Sequence, residues 1–313
     1  LVKAGRIAIG HKDAPFAHDC LIEPIFDYYQ VSLDVSGKLS ELADTGLLYK
    51  YWAISIPDEQ GTTSGIAAKH INGYVPSYTD EDRTDEALER LLTGKKSERQ
   101  KEELFDLMHQ EGPKNFLHIA KESLNRLPDG KFCGIEALGI LKADVDNLGR
   151  AFVSGFDKEH VTLSRTSELS KKLSMFFKYH INHILKNGEF SVLTESEMAE
   201  KKNKTQKRNA VIIYSGGDDL FIVGGWDDII GLAVDIYYCL KKYSQGTLTV
   251  SAGIGMYSQN YPLYAMADET GELEEISKKN PDKNSVTLFS GENCYKWDVL
   301  IEKVIGEKLA ALD

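Results

Sequence analysis

Residues Tyr214 to Phe221 read Tyr-Ser-Gly-Gly-Asp-Asp-Leu-Phe and lie between the apolar runs Ala210–Tyr214 and Leu220–Val223. Two apolar runs joined across glycines make a hairpin, because glycine takes the positive φ that a tight turn demands. The adjacent carboxylates Asp218 and Asp219 at its tip need a further explanation. Like charges side by side repel, so the pair either stands free in water or holds something positive.

The neighbouring segments set the context for that hairpin. An apolar strand, Leu138–Ala143, runs into Asp144-Val145-Asp146. Leu169, Leu173, Phe176, Phe177, Ile181 and Ile184 recur at helical spacing and predict a helix over Ser164–Lys186. After the hairpin, Asp227 is expected to N-cap a helix over Asp228–Lys242, with Ile229, Ile230, Ala233, Val234, Tyr237 and Leu240 inward. A strand in "TLTVSAGIGMY", a helix from Pro262 through Lys279 and a strand in "NSVTLF" complete the series. The order is that of a βαββαβ core, an α+β, ferredoxin-like palm whose helices cover one face of a mainly antiparallel sheet.

In that order the first strand lies beside the hairpin, so Asp144, Asp218 and Asp219 share one edge of the sheet. Carboxylates so close raise one another's pKa, and a divalent cation removes the conflict. Mg²⁺ suits hard oxygen ligands, takes one or two protein carboxylates and leaves positions for water and substrate phosphates. Gly216 and Gly217 leave room for a nucleotide and offer backbone N–H groups to phosphate. Two ions held by shared carboxylates activate a ribose 3′-hydroxyl and steady a departing pyrophosphate. Lys278 or Lys279, ending the late helix, stands ready for a triphosphate; lysines there are also ordinary partners of a helix C-terminus. Taken singly, Gly-Gly-Asp-Asp is a common turn and Asp-x-Asp a common strand end. Their joint placement in this topology carries the argument.

Composition narrows the remaining classes. The chain has 313 residues, long enough for about two domains. Its net charge of -11 makes it a poor stand-alone nucleic-acid binder, leaving RNA to a local patch or to basic partner subunits. No apolar run approaches the roughly 20 residues that cross a bilayer, no signal peptide is evident, and a cytoplasmic protein is expected. Cys20, Cys133, Cys239 and Cys294 are too scattered for a zinc site and are expected to be reduced and mostly buried. His18-Asp19 lacks flanking metal ligands, and His180 with His183 is expected to be a helix-surface pair.

Residues 1–75 carry strand-like runs of a small sheet. Residues 78–113 form a charged helical excursion or partly disordered loop, and Lys114–Leu127 a short helix. Thr194–Arg208 is expected as an exposed loop, and Cys294–Asp313 as an amphipathic helix with nothing evident to pack against. The expected organisation is a linking α/β subdomain at 1–130, the palm at 131–292, and the start of a helical domain at 293–313.

The stretches "LGILKADVDNLG", "LSRTSELSKKLSMFF", "YSGGDDLFIVGGWDD", "LTVSAGIGMYSQNYPLYAMA" and "KNSVTLF" resemble, in order, one family. That family is the second palm domain of the large subunit of type III-A CRISPR effector complexes, the Csm type. The resemblance runs from about Phe116 to Asp298, with weaker likeness in "FDYYQVSLD" and "INGYVP". It implies a palm related to nucleotidyl cyclases and GGDEF domains. The implied activity is antiviral: metal-dependent joining of ATP into cyclic oligoadenylates once guide RNA captures target RNA in a complex with other Csm-type subunits. On this resemblance Asp144 and Asp218 are ligands of Mg²⁺ or Mn²⁺, with the Val145 carbonyl. Asp219 is a further ligand or activates the 3′-hydroxyl, and Ser215, Gly216 and Gly217 line the ATP site.

The family's HD nuclease, first palm and zinc module are not recognisable here. DNA cleavage is therefore not expected, and ATP turnover, which uses two facing palms in the family, is expected to be poor. Two other readings compete. One is a GGDEF-like diguanylate cyclase using GTP, although such enzymes carry acidic-acidic-Phe where this chain has Asp218-Asp219-Leu220. The other is an inactive palm scaffold in a ribonucleoprotein.

Overall fold

The computed structural model describes residues 6–11, 22–25, 29–34, 46–53, 74–83, 91, 102, 105–106, 108–109, 112–126, 129–155, 162–190, 207–309 and 311. The chain divides into two units, Leu1–Tyr74 and Val75–Asp313. In the first, β1 (Arg6–His11), β2 (Ile22–Ile25), β3 (Tyr29–Asp34) and β4 (Leu48–Ala53) form an antiparallel sheet in the order β2-β3-β1-β4. An α/β subdomain is the sequence expectation; the described residues of this unit are strand and turn. His18-Asp19, Cys20 and most of the charged stretch 78–113 lie outside the described residues.

The second unit opens with a 3₁₀ turn, Asp80–Arg83, and helix α1 (Phe116–Lys121), whose first turn is capped by the Asn115 side chain accepting the His118 N–H at 2.9 Å. A two-residue ladder, β5 (Asn125–Arg126) with β6 (Phe132–Cys133), leads to β7 (Leu138–Val145). Then follow α2 (Leu148–Ser154), α3 (Leu163–Met175), a π-helical turn Phe176–His180 and α4 (Ile181–Lys186). The hairpin β8 (Ala210–Gly216) and β9 (Asp219–Gly225) precedes α5 (Trp226–Tyr243), β10 (Val250–Tyr257) and α6 (Leu263–Lys279). The unit closes with β11 (Ser285–Leu288), β12 (Cys294–Lys296) and a π-helical segment Val299–Leu309.

The sheet order is β12-β11-β10-β7-β9-β8, so β10-β7-β9-β8 is the ferredoxin-like core. Every pairing in it is antiparallel except β10 with β11. The central strand β7 is buried on both sides through Leu138–Leu141, which explains its unbroken apolar run. Alternation starts only where Lys142 and Asp144 turn towards solvent on one face.

Both faces carry helices, which corrects the expectation of one. On one face α5 packs on β7, β9 and β10 and against α4, and Gly139 there lies under Trp226 and Ile229. On the other, Ile140 and Val223 form a buried cluster with Ile119 and Ala120 of α1 and Met266 of α6. Each of the isoleucine, valine and methionine side chains contributes about 1.5–3 kcal/mol on burial. That apolar strip is why a second helical layer exists. Beyond the strip the same face becomes polar at Lys142 and Asp144.

Four local expectations are corrected. Helix α5 starts at Trp226, with Gly225 as its N-cap; Asp227 sits in the first turn, buried, and accepts the Ser123 hydroxyl at 2.7 Å. Arg208 is not in an exposed loop: it is 7% exposed and paired with Asp235 at 2.5 Å, a buried charge that a loop ending in water does not need. Cys294 begins strand β12 rather than a helix, and the segment after it packs well. Trp297 is 1% exposed, stacks on Tyr237 and donates its indole N–H to the Val250 carbonyl at 2.8 Å. Cys133, Cys239 and Cys294 are free and half-buried rather than buried.

Candidate nucleotide and metal site

The turn at the hairpin tip is two residues long. Gly217 has φ +73, the positive value at the first central position used by type II′ turns, and Asp218 follows it. The Val145 N–H donates to the Asp218 carbonyl at 3.0 Å, fastening the turn to the end of β7. Asp144 stands directly opposite Asp219 on β9 and opposite Ser251 on β10. Residues directly opposite across antiparallel strands project from the same face, so the Asp144 and Asp219 carboxylates share one side of the sheet. Lys142 and Phe221, also opposite each other, are the next pair along that face.

Helix α6 closes the site. Its last turn carries Lys278, whose ammonium lies 3.1 Å from Asp144 Oδ2 and 2.7 Å from Glu274 Oε1. Hydroxyls at the helix–sheet contact draw the two together: Ser277 donates to the Ala252 carbonyl and Ser285 to the Ser277 carbonyl. Between hairpin, β7 and α6 runs an open groove of about 960 Å³, lined among others by Lys142, Tyr214, Asp219, Phe221, Lys278 and Lys279.

The charges there strain against one another. Burial pushes the Asp144 carboxyl above its ordinary value; Lys278 pulls it down, and Asp218 and Glu274 add to the rise. Burial alone would lower Lys278, but Glu274 and then Asp144 overrule it and hold the ammonium well above the ordinary lysine range. The Tyr214 hydroxyl donates to the Gly216 carbonyl at 3.1 Å, and hydrogen bonding to Asp219 holds this exposed phenol above its usual value.

Of the residues singled out in the sequence, Asp144, Asp218, Asp219, Gly216, Gly217 and Lys278 meet at this sheet edge. Val145 meets them through its backbone, its side chain being buried. Ser215 turns its side chain away from this edge. It pairs with Leu220, on the opposite face from Asp219, and its hydroxyl donates to the Phe177 carbonyl at 2.8 Å within the π turn. Only its backbone remains for a ligand. His180 packs into an aromatic cluster with Phe176 and Tyr243, and His183 faces Asn187 one turn on.

Two residues were missed. Glu274 was hidden among the acids of a charged helix, although its spacing four before Lys278 was legible. Asp146, the second acid of Asp-Val-Asp, is structural: its Oδ2 accepts the Thr249 hydroxyl at 2.8 Å and the Asn284 N–H at 3.0 Å.

Among the described residues no group of three or more His, Cys, Asp or Glu side chains is arranged to hold a metal unaided. The donor set nevertheless fits a Mg²⁺-like ion that arrives with its nucleotide. It offers two hard carboxylates on one face and leaves the other positions to phosphate oxygens and water. The ammonium of Lys278 against Asp144 already marks that spot as one requiring positive charge.

The two glycines separate fold from binding. A Cβ at Gly217 would meet nothing within 4 Å, but its φ of +73 makes alanine unfavourable by about 1–2 kcal/mol. A Cβ at Gly216 would come no nearer than 3.8 Å to Tyr214 and would project on the face of Asp219. Gly217→Ala is therefore expected to lower the unfolding midpoint. Gly216→Ala should leave it unchanged and weaken nucleotide affinity several-fold, as read by paired thermal-unfolding and nucleotide titrations.

The ferredoxin-like sheet with acids on its first strand and hairpin tip defines a palm of the nucleotidyl-cyclase kind. Residues 137–287 match the family described as Cas10/Cmr2, second palm domain. Over this palm the chain is similar to the Cas10/Csm1 large subunits of subtype III-A CRISPR systems. It is 46% identical over 179 residues to the Mycobacterium tuberculosis protein named CRISPR system single-strand-specific deoxyribonuclease Cas10/Csm1 (subtype III-A), a match covering 56% of this chain and 21% of that one. Its likeness to the Enterococcus italicus protein of the same name is 42% over 179 residues, covering 57% and 21%. The chain thus spans about a fifth of the length of these relatives.

Among solved structures, the apo Csm1–Csm4 cassette superposes with a TM-score of 0.60 at 21% identity, over 97% of this chain and 36% of that one. The same cassette in complex with one ATP gives 0.59 at 20% identity, over 95% and 36%. At that identity the likeness is one of fold. No helix among the described residues is long and apolar enough to cross a membrane.

Proposed function

We propose that this palm binds ATP together with Mg²⁺ or Mn²⁺ in the groove between hairpin, β7 and α6. On this reading it is a nucleotidyltransferase that joins ATP 3′–5′ into cyclic oligoadenylate. The observation that carries it is the cross-strand pairing of Asp144 with Asp219, with Asp218 fastened to Val145 beside them. Asp144, Asp218 and Asp219 hold the cation with the Val145 carbonyl, and Asp219 takes part in activating the 3′-hydroxyl. The backbone of Ser215, Gly216 and Gly217 lies along the nucleotide, and Lys278 neutralises phosphate. When bound, the cation supplies Lewis-acid stabilisation of the attacking and leaving oxygens.

The structural neighbours crystallised with one ATP and with cA3 support a nucleotide ligand for this fold. They also support a neighbouring subunit of the Csm4 kind. In its complete setting the palm works in the cytoplasm, within an effector complex whose guide RNA captures target RNA, in antiviral defence. Catalysis there uses a second palm, so the 313-residue chain by itself is expected to turn ATP over slowly.

The test has two arms. The chain is titrated with ATP and with GTP in the presence of Mn²⁺, and the full effector complex is assayed with ATP, Mg²⁺ and target RNA, its products weighed by mass spectrometry. Tighter ATP binding and 3′–5′ adenylate products are expected. Tighter GTP binding would turn the assignment to a diguanylate cyclase. Behaviour unchanged by alanine at both Asp218 and Asp219 would leave only a scaffold.

A further inference from the structure

Glu274 has no task in the chemistry above, yet it is placed with care. It is 8% exposed, lies one turn before Lys278, and holds that ammonium at 2.7 Å while the same ammonium reaches Asp144 at 3.1 Å. A Glu–Lys pair four apart on a helix is commonplace and weak when it faces water. This one is partly buried, and its third member stands on a different element, the central strand. Its carboxylate is also not free to wander. A Cβ on Gly253 of β10 would come within 2.5 Å of the Glu274 backbone nitrogen, so the helix is seated on the sheet at this residue. Glu275 also approaches Lys278, at 3.6 Å, but with a side chain that is 59% exposed.

An ammonium fixed on Asp144 stands where a divalent cation bound to the same carboxylate would bring its own charge. Both cannot keep the same oxygen, because their charges repel at contact distance. We infer that Glu274 is a positioning residue that parks Lys278 on Asp144, making Lys278 the resident counter-charge that an incoming divalent cation must displace towards the nucleotide's phosphates. The inference deepens the ATP-binding assignment and rests on it for the second half of its test. Glu274 then acts on nucleotide binding only through Lys278, and Lys278 opposes metal binding until a phosphate gives it somewhere to go.

The experiment uses the whole 313-residue chain. Mn²⁺ binding without nucleotide is followed by the electron paramagnetic resonance of free Mn²⁺. Binding of α,β-methylene-ATP with Mn²⁺ is followed by calorimetry. Lys278→Met is expected to bind Mn²⁺ about tenfold more tightly without nucleotide, since a like charge is removed beside the ligand. Glu274→Gln is expected to weaken the ATP analogue about fivefold in the native background and to add no loss in the Lys278→Met background. Glu274→Asp, which keeps the charge but shortens its reach, stands in if the glutamine variant does not fold.

An unchanged Mn²⁺ affinity in Lys278→Met, or an equal loss from Glu274→Gln in both backgrounds, overturns the inference. If the native chain binds Mn²⁺ but no ATP analogue, the functional assignment has failed instead, and the Mn²⁺ arm still decides whether Lys278 is a counter-charge.

Discussion

Asp144→Asn is expected to reduce metal-dependent nucleotidyl transfer about a thousandfold while leaving the chain folded. Metal-held stabilisation of transferring oxygens is worth several kcal/mol, and each ~1.4 kcal/mol is a decade in rate. The amide keeps the shape of the carboxyl but is a poorer ligand for a hard cation. The fold does not need the charge. Burial raises the Asp144 pKa, so its contribution to stability is fully present below the ordinary carboxylate value and is lost as pH rises through the raised folded value. At neutral pH the charged form is therefore the costly one without metal, and asparagine removes that cost. The unfolding midpoint of the metal-free variant should match or exceed that of the native chain, measured by circular dichroism beside product formation by the effector complex. A stable variant that retained activity would remove Asp144 from the site.

Gly253→Val is expected to have the largest effect on the fold and to disable the site from a distance. Its side chain would begin within 2.9 Å of three backbone atoms of α6, at Thr270, Leu273 and Glu274, none of which can yield as a side-chain tip would. Overpacking of this kind costs about 1–3 kcal/mol, and here relief requires α6 to lift from β10. Lys278 rides on that helix, so its contact with Asp144 is expected to part. Thermal unfolding should fall by several degrees, and nucleotide affinity should fall in the protein that remains folded. Loss of stability with full nucleotide affinity would show that α6 does not position the site.

Much of this organisation is legible along the chain. The apolar runs around Gly216-Gly217, the helical spacing of Leu173, Phe176 and Ile184, and the order of elements follow from local geometry: period, turn residues and length. Where local chemistry is ambiguous, tertiary packing decides. Asp227 carries a good capping side chain, but the buried Ser123 hydroxyl claims it and Gly225 takes the cap. Ser215 sits in the motif but faces the other layer, because a strand sends alternate side chains to opposite faces. The segment from Cys294 reads as an amphipathic helix until β11 offers it an edge to pair with.

The candidate site divides in the same way. That Asp144, Asp218 and Asp219 meet at one edge was readable by itself, because a strand end and a hairpin tip in βαββαβ order must be neighbours. That Lys278 reaches Asp144, and that Glu274 tethers it, was not. Those contacts depend on how closely α6 sits on β10, a distance set by glycines and serines whose meaning appears only when the two surfaces meet. Sequence determined the set of charges and the edge they share; tertiary structure decided which positive charge neutralises which acid, because ion pairing is fixed by ångström-scale separation and burial rather than by order along a chain.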